Sequence, residues 1–285
     1  MNKLHGSSGE HGSSTGHALA DAAWLDVHFE ACRSEYEAAA RSVGFQPAWH
    51  ILDAGTGSGS FLPVLGQIVG SAGQITALDL APENIATIDA RLEDWALDCP
   101  VDTQVGSVLD LPYADGHFDA VWCANMAQYL PDDDFLAMLH EFRRVVRPGG
   151  LVALKDFDAT HTQHFPEDPG LLWRFCMARA EVSDMSRGVL RGRGFRRWLE
   201  RAGLQNVRQE TLLIERWAPL KPIEREFLTD LLYYWAEQAA EGGIPEEDQA
   251  FWRRFNDRNG IDPPVNDPEF YWCEANALAV GTVPE

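Results

Sequence analysis

The sequence predicts an α/β fold, with a parallel β-sheet and helices on both of its faces. Two observations support this prediction. Between residues 48 and 157, short apolar runs alternate with stretches whose apolar residues have helical spacing. The first of these runs ends in a glycine-rich turn that opens a helix, as in the strand–helix units of parallel sheets. With 285 residues and 45% hydrophobic content, the chain can bury a sizeable core.

The predicted elements follow in order along the chain. A helical stripe over residues 18–43 ends at Gly44 and Pro47 and precedes the first strand. The predicted strands lie at residues 49–55, 74–80, 101–105, 118–124, 150–157, 205–215 and 270–283. The predicted helices lie at residues 59–70, 82–97, 132–146 and 170–182, and in a block from 222 to about 258.

Two segments flank this alternation. Residues 1–17 are rich in glycine and serine and have almost no apolar side chain, which predicts a flexible leader. We expect residues 18–285 to form a single domain, in which the helix over 18–44 acts as a lid. Residues 222–262 lie between proline-containing segments and predict a helical cap inserted before the last strand.

The charge and cysteine content exclude several classes of function. A formal net charge of −21 repels nucleic-acid phosphates and anionic lipid headgroups, so we expect neither as a partner. The chain has no apolar stretch long enough to span a membrane. Its five cysteines are an odd number without a CxxC pair, which predicts a reduced, cytoplasmic protein without structural zinc.

The stretch ILDAGTGSG at residues 51–59 is the strongest motif. Its glycines permit positive φ and close approach of a ligand to the backbone, and the helix that follows offers free N–H groups. Asp79 closes the next strand, where a carboxylate can accept both hydroxyls of a ribose. Alone, the glycines are explained by a tight turn and Asp79 by a helix cap. Together they predict a nucleotide-like ligand.

The chain resembles the class I S-adenosylmethionine-dependent methyltransferases, in the subgroup similar to ubiquinone and menaquinone C-methylases. Four motifs within residues 48–158 carry the resemblance: LDAGTGSG, ALDLAPENI, VGSVLDLPYADGHFDAVWCANMAQYL and LHEFRRVVRPGGLVAL. The resemblance implies a Rossmann-like, doubly wound sheet of seven strands, mostly parallel with the last strand antiparallel. It also implies S-adenosylmethionine as cofactor, bound by Asp53, Gly55, Thr56, Gly57, Gly59, Asp79, Leu80, Gly106, Ser107, Val108 and Asn125. Ser107 stands where the family usually has Asp and is a weaker partner for the adenine amine.

The loops after the fourth and fifth strands are expected to form the acceptor cavity, because ligands bind at the carboxyl ends of parallel strands. Asp156 and His161 lie in the second of these loops and are candidates for a general base. Tyr36 on the N-terminal helix is a candidate of another kind. Its aromatic ring could lie beside the cofactor's sulfonium and attract the positive charge. The alternatives are a surface histidine at 161 and a core tyrosine at 36.

These observations predict methyl transfer from S-adenosylmethionine to O, N or C of a small molecule, in specialised metabolism. Aromatic residues of the cap favour an apolar or aromatic acceptor, although they are equally explained by packing or by a homo-oligomer interface. No metal is expected, because the acidic run Asp132–Asp134 suits a helix N-terminus. Two alternatives remain: a non-catalytic S-adenosylmethionine-binding protein, and an NAD-dependent oxidoreductase, which Ser60 in place of a third glycine disfavours.

Overall fold

The computed structural model describes residues 21–166, 168–256 and 264–285, without the side chains of Met185, Phe255 and Asn256. The predicted leader lies outside the described residues. The helices are α1 (Ala22–Ala31), α2 (Arg33–Ser42), α3 (Leu62–Val69), α4 (Pro82–Trp95), α5 (Asp132–Val145), α6 (Leu171–Ala180), α7 (Asp184–Gly188), α8 (Phe195–Arg201), α9 (Pro222–Ala240) and α10 (Glu246–Asn256). The strands are β1 (His50–Ala54), β2 (Gln74–Asp79), β3 (Val101–Val105), β4 (Phe118–Ala124), β5 (Val146–Phe165), β6 (Gln205–Trp217) and β7 (Tyr271–Thr282).

The seven strands form one sheet in the order β3-β2-β1-β4-β5-β7-β6. Strands β1 to β5 are parallel, and β7 runs antiparallel between β5 and β6. This confirms the predicted Rossmann-like, doubly wound fold with an antiparallel last strand. The chain moves from β1 outward to β3 and then returns to the other side of β1 at β4. Such a reversal opens a crevice at the carboxyl ends of β1 and β4, where ligands bind in open α/β sheets.

Two clusters of buried apolar side chains cover the two faces of the sheet. Alternate residues of one strand supply both clusters, because successive side chains of a strand point to opposite faces. Ile51 packs with the N-terminal helices and the cap, whereas its neighbour Leu52 packs with α5 and α8. The helices α9 and α10 lie between β6 and β7 in the chain, as the expected insertion does.

Two elements differ from their predicted bounds. The N-terminal helix divides at Cys32, whose φ of −116° and ψ of 11° are not helical, and so forms α1 and α2. Strand β5 continues to Phe165 instead of ending at residue 157, because it pairs with β7 on both sides of a register shift. Among the described residues, no helix combines the length and apolarity needed to cross a membrane. All five cysteines are buried, free thiols.

Candidate functional site

The glycine loop after β1 lies at the carboxyl edge of the sheet. The N–H groups of Gly55 and Thr56 donate to the carbonyl of Leu78 at 2.8 and 3.0 Å, which ties the loop to the end of β2. Gly57 has a φ of +57°, and a Cβ built on it would lie 2.8 Å from Leu25 Cδ1 of α1. Only glycine therefore fits this position without strain, since both its backbone conformation and the close approach of α1 oppose a side chain.

The carboxylate of Asp79 braces the same loop from the end of β2. Its Oδ2 accepts from the N–H of Gly57 at 2.8 Å. Its Oδ1 accepts from the N–H of Ala81 at 2.9 Å and from Nδ2 of Asn84 at 3.1 Å. Asp79 thus orders the glycine loop and the entrance to α4, in addition to lining the cavity above them.

A cavity of about 1200 Å³, including its open mouth, lies over this edge of the sheet, and we call it the donor cavity. Nine of the eleven residues expected to bind the cofactor line it: Gly55, Thr56, Gly57, Asp79, Leu80, Gly106, Ser107, Val108 and Asn125. The glycine backbone and the carboxylate are the groups that a nucleoside with a charged amino-acid moiety requires. The residues present therefore fit S-adenosylmethionine.

The other two expected residues lie behind the loop. Asp53 is buried under it and accepts a hydrogen bond from the hydroxyl of Thr56 at 2.7 Å. Burial raises the pKa of Asp53 to about 7, and the hydrogen bond from Thr56 partly opposes this. Gly59 faces Ile88, Leu62 and Trp95, so its lack of a side chain serves helix packing. These two residues support the loop, and the structure gives neither of them a place in the cavity wall.

A second cavity, which we call the acceptor cavity, has mostly apolar walls that include seven aromatic rings. Side chains from α1, β5, α6 and α9 form these walls, and the cap supplies Phe227, Leu231, Tyr234 and Trp235. The polar groups that converge on it are His28, Asn125, Gln128, Arg179, Ser186, Gln238 and Glu274. An apolar pocket with few polar groups is typical of a small-molecule site.

The two cavities share the side chains of Leu25, His28, Asn125 and Tyr129. Two of these residues come from the loop after β4, and two come from α1. Asn125 adopts a left-handed φ of +57°, which asparagine tolerates better than most residues. The shared wall is therefore built where the first helix meets the crevice between β1 and β4.

A polar cluster extends inward from this shared wall. It comprises the half-buried His28 and Asn125 of the wall and the buried Tyr36, Lys155 and Glu274. The hydroxyl of Tyr36 lies 2.7 Å from Nε2 of His28. Lys155 Nζ donates to Asn125 Oδ1 at 2.6 Å and lies 3.3 Å from the centroid of the Tyr36 ring. These contacts hold the ammonium by a cation–π interaction and a hydrogen bond in a site with little water.

Burial dominates the ionisation of this cluster. It lowers the pKa of His28 to about 3, with a further decrease from the charge of Lys155, so the imidazole is neutral near pH 7. Burial also lowers the pKa of Lys155 to about 7, although the negative charges of Cys32, Asp156 and Glu274 oppose this. The pKa of Glu274 is raised by burial, and Lys155 acts in the opposite direction.

The three expected catalytic residues do not converge on the shared wall. The His161 side chain is 62% exposed and contacts Thr160, so strand β5 carries it away from both cavities. Asp156 accepts from the N–H groups of Gln128 and Phe157 and so orders the loop that lines the acceptor cavity. Tyr36 is buried and lines neither cavity itself, but it contacts two residues of the wall, His28 and Asn125. His28 and Glu274 are titratable groups in the wall of the acceptor cavity that sequence analysis did not select as candidates.

Three neighbouring side chains are of metal-ligating types. One ligand atom from each of His28, Cys32 and Glu274 lies within 4.8 Å of the others. Lys155 interacts electrostatically with the same three groups, and its positive charge opposes a cation among them. The expected absence of a metal stays a prediction. These three side chains are the site at which bound metal would be sought.

Comparison with known proteins agrees with the geometry. A family model described as a methyltransferase domain matches residues 51–150. The 2-phytyl-1,4-naphtoquinone methyltransferase of Synechococcus elongatus is 32% identical over 111 residues, which are 39% of this chain and 47% of that protein. The ubiquinone biosynthesis O-methyltransferase of Xanthomonas campestris is 35% identical over 115 residues, which are 40% and 45% of the two chains. The chain thus spans about half the length of these relatives.

Solved structures share the fold. The YcgJ protein of Bacillus subtilis superposes with a TM-score of 0.55 at 16% identity, over 89% of this chain and 99% of that chain. Phosphoethanolamine N-methyltransferase 2 of Haemonchus contortus, in complex with S-adenosyl-L-methionine, gives a TM-score of 0.53 at 10% identity, over 94% and 58%. Residues 51–150 thus match a methyltransferase domain, within a chain that has the fold of these structures and is similar over part of its length to quinone and ubiquinone methyltransferases.

Proposed function

We propose that this protein transfers a methyl group from S-adenosylmethionine to a small apolar or aromatic molecule. The observation that carries the proposal is the wall shared by the donor and acceptor cavities at His28 and Asn125. Because the same side chains line both cavities, a ligand in one cavity lies next to a ligand in the other. Such a meeting point is what a transfer between two small molecules requires.

The donor's sulfonium supplies an activated methyl group, so the protein needs no covalent nucleophile. The residues proposed to hold the donor are the glycine loop at Gly55 and Gly57, together with Asp79. Asn125 would hold its reacting end near the shared wall. The task left to the protein is to align the acceptor and to exclude water.

We propose that α1 acts as a lid over both cavities. Trp24 packs against Phe227 of α9 with ring centroids 5.6 Å apart, and His28 stacks on the same ring at 4.7 Å. Leu25 and Phe29 of the same helix line the donor cavity. A salt bridge from Asp26 to Arg91 of α4 fastens the helix to the far side of the crevice.

The proposed acceptor is flat and largely apolar, because the cap surrounds its cavity with rings. The quinone and ubiquinone relatives are named for ring-containing molecules, which is consistent with such an acceptor. We further propose a role in specialised metabolism, without a nucleic-acid partner, since the net charge of −21 repels phosphate backbones.

The proposal is tested by incubating the purified protein with isotopically methyl-labelled S-adenosylmethionine and a panel of phenols, quinols, amines and thiols. Mass spectrometry should find one methyl group on at least one acceptor and an equal amount of S-adenosylhomocysteine. The variant Leu231→Ala, at a residue that lines only the acceptor cavity, should lower turnover while the donor still binds. Tight donor binding without transfer to any acceptor class would favour a non-catalytic binding protein.

A further inference from the structure

Glu274 is a carboxylate in the wall of a largely apolar cavity. It lies on β7 with 2% of its surface exposed, inside a strand whose other described residues are mostly apolar. Removing a carboxylate from water costs free energy unless donors or cations compensate. Trp272 Nε1 donates to its Oε2 at 3.1 Å, and Asn276 Nδ2 donates to its Oε1 at 3.2 Å. Both described donors are neutral.

The position of Glu274 brings it close to the wall shared by the two cavities. One of its carboxylate oxygens lies within 4.8 Å of a ring nitrogen of His28, which borders both cavities. A carboxylate accepts up to about four hydrogen bonds, and within the described part of the chain Glu274 accepts the two named above. It can therefore accept a further hydrogen bond from a molecule in the acceptor cavity.

We propose that Glu274 is the general base of the transfer, and that the acceptor is a phenol or enol whose O–H donates to it. This inference rests on the proposed function. The acceptor oxygen forms the new bond to the methyl carbon, and the bond from that carbon to sulfur breaks with its electron pair left on sulfur. The acceptor's proton passes to a carboxylate oxygen of Glu274, which becomes neutral.

The surroundings of Glu274 suit this role. A general base works best when its pKa lies near the working pH, and burial raises the pKa of this carboxyl from its ordinary acidic value. The aromatic walls accommodate the ring of a phenol, and Arg179 in the same wall disfavours an ammonium acceptor. The titratable or charged groups that face Glu274 are His28 of α1, Cys32 at the end of α1, Tyr36 of α2, Lys155 of β5, Arg216 of β6 and Cys273 of β7.

The test compares turnover of phenols of graded acidity by the wild type and by Glu274→Gln. With phenols that stay protonated at the assay pH, the variant should lose about 100-fold or more in kcat. With nitrophenols that are already ionised, the two proteins should differ by less than about threefold, because no proton remains to be removed. The acidic limb of the pH profile should disappear in the variant. Glu269→Gln, an exposed control just before β7, should match the wild type.

Two additional measurements separate this inference from the proposed function. Calorimetry with S-adenosylmethionine should give equal affinities for Glu274→Gln and wild type, and thermal melting should show that both are folded. If Glu274→Gln does not fold, Glu274→Asp should show the same dependence on acceptor acidity with a smaller loss. An equal loss for all phenols, ionised or not, overturns the general-base role. Transfer by the wild type to amines or thiols but to no phenol overturns the acceptor class and leaves methyl transfer intact.

Discussion

The carboxylate of Asp79 accepts a hydrogen bond of 2.8 Å from the backbone N–H of Gly57, so the residue that ends β2 holds the loop that follows β1. Two neighbouring parallel strands are thereby joined at the edge where the donor cavity lies. The loop depends on this one side chain, and so does the proposed donor, since Asp79 also lines the donor cavity.

Asp79→Ala should weaken binding of S-adenosylmethionine by roughly 10- to 150-fold, which corresponds to a hydrogen-bonded charge worth about 1.5–3 kcal/mol. The loss combines a missing ligand contact with a loosened loop. Isothermal calorimetry measures it, and Asp94→Ala on the exposed side of α4 is the control. An unchanged affinity would place the ribose contact elsewhere.

Gly57→Ala should lower both donor affinity and stability, because its φ of +57° strains any side chain by about 1–2 kcal/mol. The new Cβ would also lie 2.8 Å from Leu25 Cδ1 and push α1 outward. The double variant Gly57→Ala with Leu25→Ala removes that clash and should recover part of the affinity but none of the backbone strain. Equal affinities for the single and double variants would show that α1 does not press on the loop.

Deleting residues 1–17 should leave donor binding unchanged, whereas deleting residues 1–42 should abolish donor retention. The longer deletion removes Leu25, His28 and Phe29 from the donor cavity wall, together with buried rings worth several kcal/mol at about 25 cal/mol per Å². Gel filtration with bound-ligand analysis measures retention, and circular dichroism checks the fold. A folded 1–42 deletion with normal affinity and turnover would contradict the lid proposal.

His28→Gln should reduce the loss of folding stability at acidic pH. The folded-state pKa of His28 is lowered to about 3 from 6.5, so between these values the unfolded chain binds a proton that the folded chain does not. The wild type therefore loses stability as pH falls from about 6.5 towards 3, by up to about 1.4 kcal/mol per pH unit from this group. Urea unfolding at several pH values should give a shallower slope for the variant. The exposed His140→Gln should keep the wild-type slope.

Chelators should leave turnover unchanged, because Lys155 already supplies positive charge beside His28, Cys32 and Glu274. Metal analysis of the purified protein and activity after dialysis against a chelator provide the measurement. Activity that fell on dialysis and returned with zinc would instead identify that trio as a metal site.

The fold and the donor side were predictable because their signals are local. The spacing of apolar residues identifies strands and helices. The glycine run directly follows one strand, and Asp79 ends the next. The acceptor side depends on residues distant in the chain, such as His28, Lys155 and Glu274. Sequence spacing does not predict that these residues lie close together. A signal was nevertheless present, since a lysine and a glutamate inside the apolar runs VALKDF and YWCEANAL need a partner or a function. The exposed position of His161 could not be predicted, because its place in the chain does not reveal the direction in which β5 carries it.

The reversed direction of β7 determines which residues of the last strand lie at the acceptor side of the sheet. Lys155, level with Ala124 at the end of β4, pairs with Leu278, so the residues that precede 278 extend past the edge where the parallel strands stop. Helix α9 of the cap and the first half of the last strand therefore both line the acceptor cavity. If the proposed function holds, diversifying these two elements while Glu274 is kept should change the choice of acceptor and leave the proposed donor-binding loop unaltered.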